Sequence, residues 1–147
     1  MSTKDLKALM RRFAEQWNKG RTAALAEIDE TTATSIVLHG YGPEDTHGLK
    51  DYKKNVNEIF DAFPDDHMTI DDMIVEGDKI AVRYTLSGTH KGAYMGIAPT
   101  NKKITIWVIE IDRMVGGKFV EGWIRFDTLS MMQQLGVIPT PGKGKQP

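Results

Sequence analysis

The sequence predicts an α+β fold in which N-terminal helices cover one face of a long antiparallel sheet. Three observations carry this. Apolar residues recur at helical spacing through residues 6–63. Through residues 68–127 they switch to the two-residue alternation of strands. Pro64, which a helix interior does not tolerate, stands at the change. Helices and strands segregated along a chain build α+β layers rather than βαβ units. Three helices laid across the concave side of a bent sheet would form a cone, closed at one end and open at the other.

The elements follow in order. Leu6, Leu9, Met10, Phe13 and Trp17 share one helical face. Ser2 with Asp5 forms a capping box and Gly20 a stop, so the first helix covers residues 3–19. Thr22 caps a short second helix bearing Leu25 and Ile28, and Ile36, Val37 and Leu38 form a short strand ending at His39 and Gly40. After a loop through Tyr41, Gly42 and Pro43, a third helix starts near Gly48 and buries Tyr52, Val56, Ile59, Phe60 and Phe63.

The strands come next. Met68 to Val75 alternates except at Asp71 and Asp72, the signature of a bulge. Glu76, Gly77 and Asp78 turn the chain into a strand over residues 80–90 that ends at His90. A loop over residues 91–101 precedes a strand over residues 104–113. The pair Gly116 and Gly117 supplies the positive φ of a two-residue hairpin turn. In the last strand Phe119, Glu121, Trp123, Arg125 and Asp127 fall on one face, while Val120, Gly122, Ile124 and Phe126 fall on the other. A short helix over residues 129–135 closes at Gly136. No repeat or linker interrupts residues 1–138, which read as one domain. Residues 139–147, rich in Pro, Gly and Lys, read as a disordered tail in which Lys143 and Lys145 aid solubility.

A chain of 147 residues with 40% hydrophobic and 27% charged residues can bury a real core. A net charge of −1 argues against nucleic acid or an anionic membrane as partner, because both need a basic footprint. No apolar run is long enough to span a bilayer, and no signal peptide is visible, so a cytoplasmic location is expected. The absence of Cys excludes a disulfide scaffold or a thiol nucleophile. The segments Asp45-Thr46-His47 and Asp65-Asp66-His67 lack the spacing of zinc or calcium ligands and read as turns, so no metal site is expected.

Asp127 has two readings on residues alone. It caps the following helix, or it is a carboxyl whose aromatic neighbour Trp123 raises its pKa for acid/base work. Phe13 and Trp17 fit core packing.

Several short motifs, in this order, resemble a known family. Phe63-Pro64-Asp65 precedes Glu76-Gly77-Asp78; then come Gly88-Thr89-His90 and Gly96-Ile97-Ala98-Pro99; later stand Gly117-Lys118, Glu121, Trp123, Asp127 and Gln134-Leu135-Gly136. The chain resembles the SnoaL-like polyketide cyclases, or ester cyclases, of the nuclear transport factor 2-like (NTF2-like) superfamily. That resemblance implies a cone-shaped barrel with a deep hydrophobic pocket, assembled as dimers or higher homo-oligomers. It also implies intramolecular aldol ring closure of a small apolar carbonyl compound without metal or cofactor, with Asp127 as general acid/base. Members often carry His where this chain has Gly122, and Arg125 on the Asp127 face would lower the acid's pKa.

For that chemistry the pocket walls are expected to be Phe13, Trp17, Met95, Trp107 and Trp123. His90 is a candidate to bond a substrate oxygen or Asp127, or else to anchor the loop after it. His39 and Tyr41 are candidates for the pocket rim. Isomerase, dehydratase and epoxide hydrolase activities, a pocket that binds an apolar ligand without turnover, and an assembly domain using Arg83, Glu110 and Arg125 are the alternatives on the same scaffold.

Overall fold

A computed structural model describes residues 1–142 of the chain. The helices are α1 (Thr3–Asn18), α2 (Arg21–Thr31), α3 (Leu49–Ala62) and α4 (Thr128–Leu135). The strands are β1 (Thr32–His39), β2 (Thr46–His47), β3 (His67–Glu76), β4 (Lys79–Thr89), β5 (Lys103–Val115) and β6 (Lys118–Phe126). Ser2 and Asp5 exchange both bonds of the expected capping box at the start of α1. The second helix begins at Arg21, behind Gly20, rather than at Thr22.

All six strands form one curved, open sheet in the order β2-β1-β6-β5-β4-β3. The long strands pair antiparallel, as the alternation predicts. The early strand is longer than its apolar run suggests and pairs with β6 in parallel, joining the two ends of the chain. Such a long-range pairing leaves no local mark in the sequence. Helix α1 packs on β3, α3 on β1, and α2 against both helices, while α4 lies against β5. One apolar core runs from Leu6 to Leu135 between the helices and the concave face. This is the helix-covered, curved-sheet cone expected of the sequence.

Two bulges decide which side chains point inward. The β3–β4 register shifts between Ile70 and Asp72, where the alternation fails. A second shift separates the pairs Arg113–Glu121 and Met114–Phe119, leaving Val120 as the extra residue. The inward face of β6 therefore carries Phe119, then Gly122 and Ile124. The expectation that Phe119, Trp123 and Asp127 share a face is corrected: Phe119 is inside, and Trp123 and Asp127 are outside.

Of the tail, residues 139–142 form coil and a turn; Lys143, Lys145 and the rest of residues 143–147 lie outside the described residues. Among the described residues no helix is long and apolar enough to cross a membrane.

Candidate functional site

Between the helices and the sheet lie two adjoining chambers. The outer one, about 240 Å³, opens among Gly40, Pro43, Tyr94 and Met95, and is walled by Phe63, Ile104, Ile106 and Met131. The inner one, about 40 Å³, lies towards Phe13, Trp17, Thr32 and Phe119. Tyr41, Ile59, Leu86 and Phe126 line both and form the partition. By itself the inner chamber has room for only roughly one to three waters.

The inner chamber holds a polar cluster in an apolar wall. Alternation along β5 sends Ile104, Ile106 and Val108 inward, and the same parity brings in Glu110 and Asp112. Tyr84 of β4 donates its hydroxyl to Glu110 Oε2 at 2.8 Å. Glu110 and Asp112, two residues apart on the same face of β5, lie side by side in the chamber lining. Burial raises both carboxyls, and the charge of Glu110 raises Asp112 further. Tyr41, Tyr52 and Tyr84 are held protonated, chiefly by burial. The buried hydroxyl of Thr32 also lines this chamber and has no partner among the described residues.

Gly122 makes room for the acid pair. It stands across from Asp112 in the β5–β6 register. A Cβ at residue 122 would lie 2.6 Å from Asp112 Oδ1 and 2.8 Å from Leu38 Cδ2. The side chain that Gly122 lacks is thus replaced by a carboxyl from the neighbouring strand.

A third acid, Asp66, borders the outer chamber. It is 9% exposed, and Trp17 Nε1 donates to its Oδ2 at 2.9 Å. Burial pushes its carboxyl up to about 7, against the opposing pull of the Trp17 N–H.

The residues expected at the site divide into two groups. Phe13 and Trp17 line the inner chamber, Met95 the outer, and Tyr41 both, in the partition between them. The others lie elsewhere. Asp127 is exposed and lines neither chamber. Its Oδ1 accepts from Ser130 N at 3.1 Å, which makes it the N-cap of α4. The expected apolar enclosure of this acid is corrected, because the β6 bulge turns its face outward. Trp107, 60% exposed beneath the Arg83 guanidinium, and Trp123, 39% exposed, are on the outer face and wall no chamber.

His39 also sits on that face. It stacks on Trp123 at 5.5 Å and bridges Asp45 and Glu121, each at 2.9 Å. Bonds to Glu121 and Asp45 raise its pKa. His90 is fully buried outside both chambers. Its Nδ1 accepts from Thr100 N at 3.2 Å, tying down both ends of the loop over residues 91–101. That is the anchoring alternative of its two readings. Among the described residues no cluster of three or more His, Asp or Glu side chains is placed to hold a metal.

The sequence reading missed Glu110, Asp112 and Asp66 as site residues. The signal for the first two was present: they continue the inward series Ile104, Ile106, Val108. Asp66 gave none, since its burial rests on Trp17, far away in the chain.

Comparisons with known proteins agree with one another. The family model for SnoaL-like polyketide cyclases matches residues 7–135. AclR from Streptomyces galilaeus, described as a candidate hydroxylase, is 28% identical and superposes with a TM-score of 0.84, covering 97% of this chain and 88% of its own. TsrD from Streptomyces laurentii is 25% identical with a TM-score of 0.83, over 94% of this chain and 99% of its own. IdmH from Streptomyces antibioticus, described as a candidate polyketide cyclase, is 25% identical with a TM-score of 0.74, over 88% and 97%. Nothing among the curated proteins matches.

Proposed function

The chain belongs to the SnoaL-like polyketide cyclases, and from that premise we propose that it closes rings in small, largely apolar carbonyl compounds by cofactor-independent acid/base chemistry. The observation that carries this reading is the Glu110–Asp112 pair in the apolar interior, steadied by Tyr84. An aldol closure needs a base for a C–H next to one carbonyl and a proton donor for the alkoxide formed at another. A buried pair whose carboxyls are both raised can keep one group protonated while the other takes a proton and returns it.

In the reacting pair Glu110 is ionised and Asp112 protonated. Glu110 takes the α-proton, and the C–H electron pair becomes the enolate. The enolate carbon attacks the second carbonyl of the same molecule, whose π electrons move onto oxygen. That alkoxide takes the proton back from Glu110. No proton is gained or lost over the cycle. Asp112 and the Tyr84 hydroxyl steady the charge on Glu110. Asp127 enters only as the cap that seats α4.

The exposed stripe Trp107, Ile109, Ile111 and Trp123 supports self-association through the outer sheet face. A homodimer is the simplest assembly that covers it.

The first step can be tested without the natural substrate. A 1,3-diketone probe incubated in D₂O should exchange its α-protons faster with the protein than without it, as read by NMR. Glu110→Gln should remove the acceleration, and Asp127→Asn should keep most of it. Probe binding with no acceleration would sink the catalytic reading and leave a binding protein.

A further inference from the structure

We propose that Asp66 is the specificity group of the outer chamber: its protonated carboxyl donates to a carbonyl oxygen of the ligand and so selects ketones or esters over hydrocarbons of the same shape. This rests on the reading of the chambers as a substrate site. It adds a second recognition point, remote in sequence from the acid pair.

Geometry carries the inference. The chamber lining is largely apolar, with Phe63, Leu86, Ile104 and Ile106 offering a ligand no hydrogen bond from their side chains; besides Asp66 its polar side chains are Tyr41, Tyr94 and Thr128. The carboxyl is fixed through Oδ2 by Trp17, whose indole belongs to the inner chamber wall. Its other oxygen, Oδ1, has no hydrogen bond among the described residues. That oxygen is not wholly enclosed, so an arriving ligand can reach it, and a carboxyl with one oxygen held and one free has a bond left to give. Because the Trp17 N–H already supplies a donor to Oδ2, the proton belongs on Oδ1, and the missing partner is an acceptor.

The titratable groups facing Asp66 work in the same direction. Asp65, next in the chain, adds negative charge that favours the protonated form. Tyr94 comes from the loop, with Glu58 of α3 beyond it. His90 lies across Phe63, its ring 5.4 Å from that of the phenylalanine. No cation is bonded to Asp66 among the described residues, and the raised carboxyl agrees with the neutral form.

Acetophenone and ethylbenzene, nearly equal in shape, are the probes. Each is titrated into the full chain and followed by amide NMR shifts around Tyr94 and Met95. At about pH 5.5 the wild type should favour acetophenone by roughly three- to tenfold, the worth of one hydrogen bond, and by about pH 8.5 the preference should shrink. Asp66→Asn, which keeps a neutral donor, should hold the preference at both pH values. Asp66→Leu should bind both probes alike. A wild-type preference that ignores pH, an Asp66→Leu preference equal to wild type, or shifts confined to other surfaces would overturn the proposal.

Where Asp66→Leu does not fold, the pH-flat preference of Asp66→Asn against the pH-dependent wild type decides. In the wild type, a probe ratio with no acceleration of proton exchange counts against the cyclase reading alone, and accelerated exchange with no probe ratio counts against this one.

Discussion

Asp127→Ala removes the oxygen that accepts from Ser130 N–H, and a lost cap of this kind costs about 1 kcal/mol. In a chain of this size that lowers Tm by roughly 3 °C, a shift readable by calorimetry. Probe proton exchange should persist, since the side chain lines neither chamber. Glu110→Gln should do the reverse. It keeps the shape but removes the base, and exchange should fall by roughly a hundredfold or more. The pH dependence of stability has a definite sign at Asp66. Its carboxyl titrates near 3.8 when unfolded and at about 7 when folded. Between these values the folded chain holds a proton that the unfolded chain has released, so stability is greatest below the lower value and declines as pH rises through the upper one. The raised Glu110 and Asp112 act in the same direction. Denaturant titrations across this range should show a shallower decline for Asp66→Asn than for the wild type.

At the scale of elements, the sequence exposed periods well and faces poorly. The capping box at Ser2 and Asp5, the bulge at Asp71 and the glycine turn after β5 were all legible, because each is a local rule in neighbouring residues. The orientation of β6 was not, because Val120 adds one residue and flips everything after it relative to Phe119. On β5 the trouble is chemical. Its outward face bears Trp107, Ile109 and Ile111 while its inward face carries Glu110 and Asp112 before Met114, the opposite of polar-out alternation. A functional interior and an apolar exterior together erase the usual cue. Helix α4 is held on β5 by Gln134, which accepts from Thr105 N and donates to Thr105 O, each at 2.8 Å. Gln134→Ala should raise hydrogen exchange throughout α4 and weaken probe binding, because Met131 on the same helix walls the outer chamber.

For the molecule as a whole, the exposed stripe around Trp107 and Ile109 bears on assembly. Ile109→Lys should reduce self-association in sedimentation experiments while leaving monomer secondary structure intact, since a charge there sits on a solvent-facing strand position. The layered architecture was readable because helical and strand periods occupy separate stretches. The closure of the cone was not, since it depends on β1 finding β6. That parallel pairing has a kinetic consequence. His39 must meet Trp123 across most of the polypeptide, and loops of that length close late and slowly. During refolding the β3–β4–β5 meander can form from adjacent segments, leaving β1 without its final strand partner and the helices joined to it not yet fixed. A stopped-flow experiment should therefore see strand signal arrive before Trp17 fluorescence reaches its native value, and a chaperone would find its most vulnerable client in that interval.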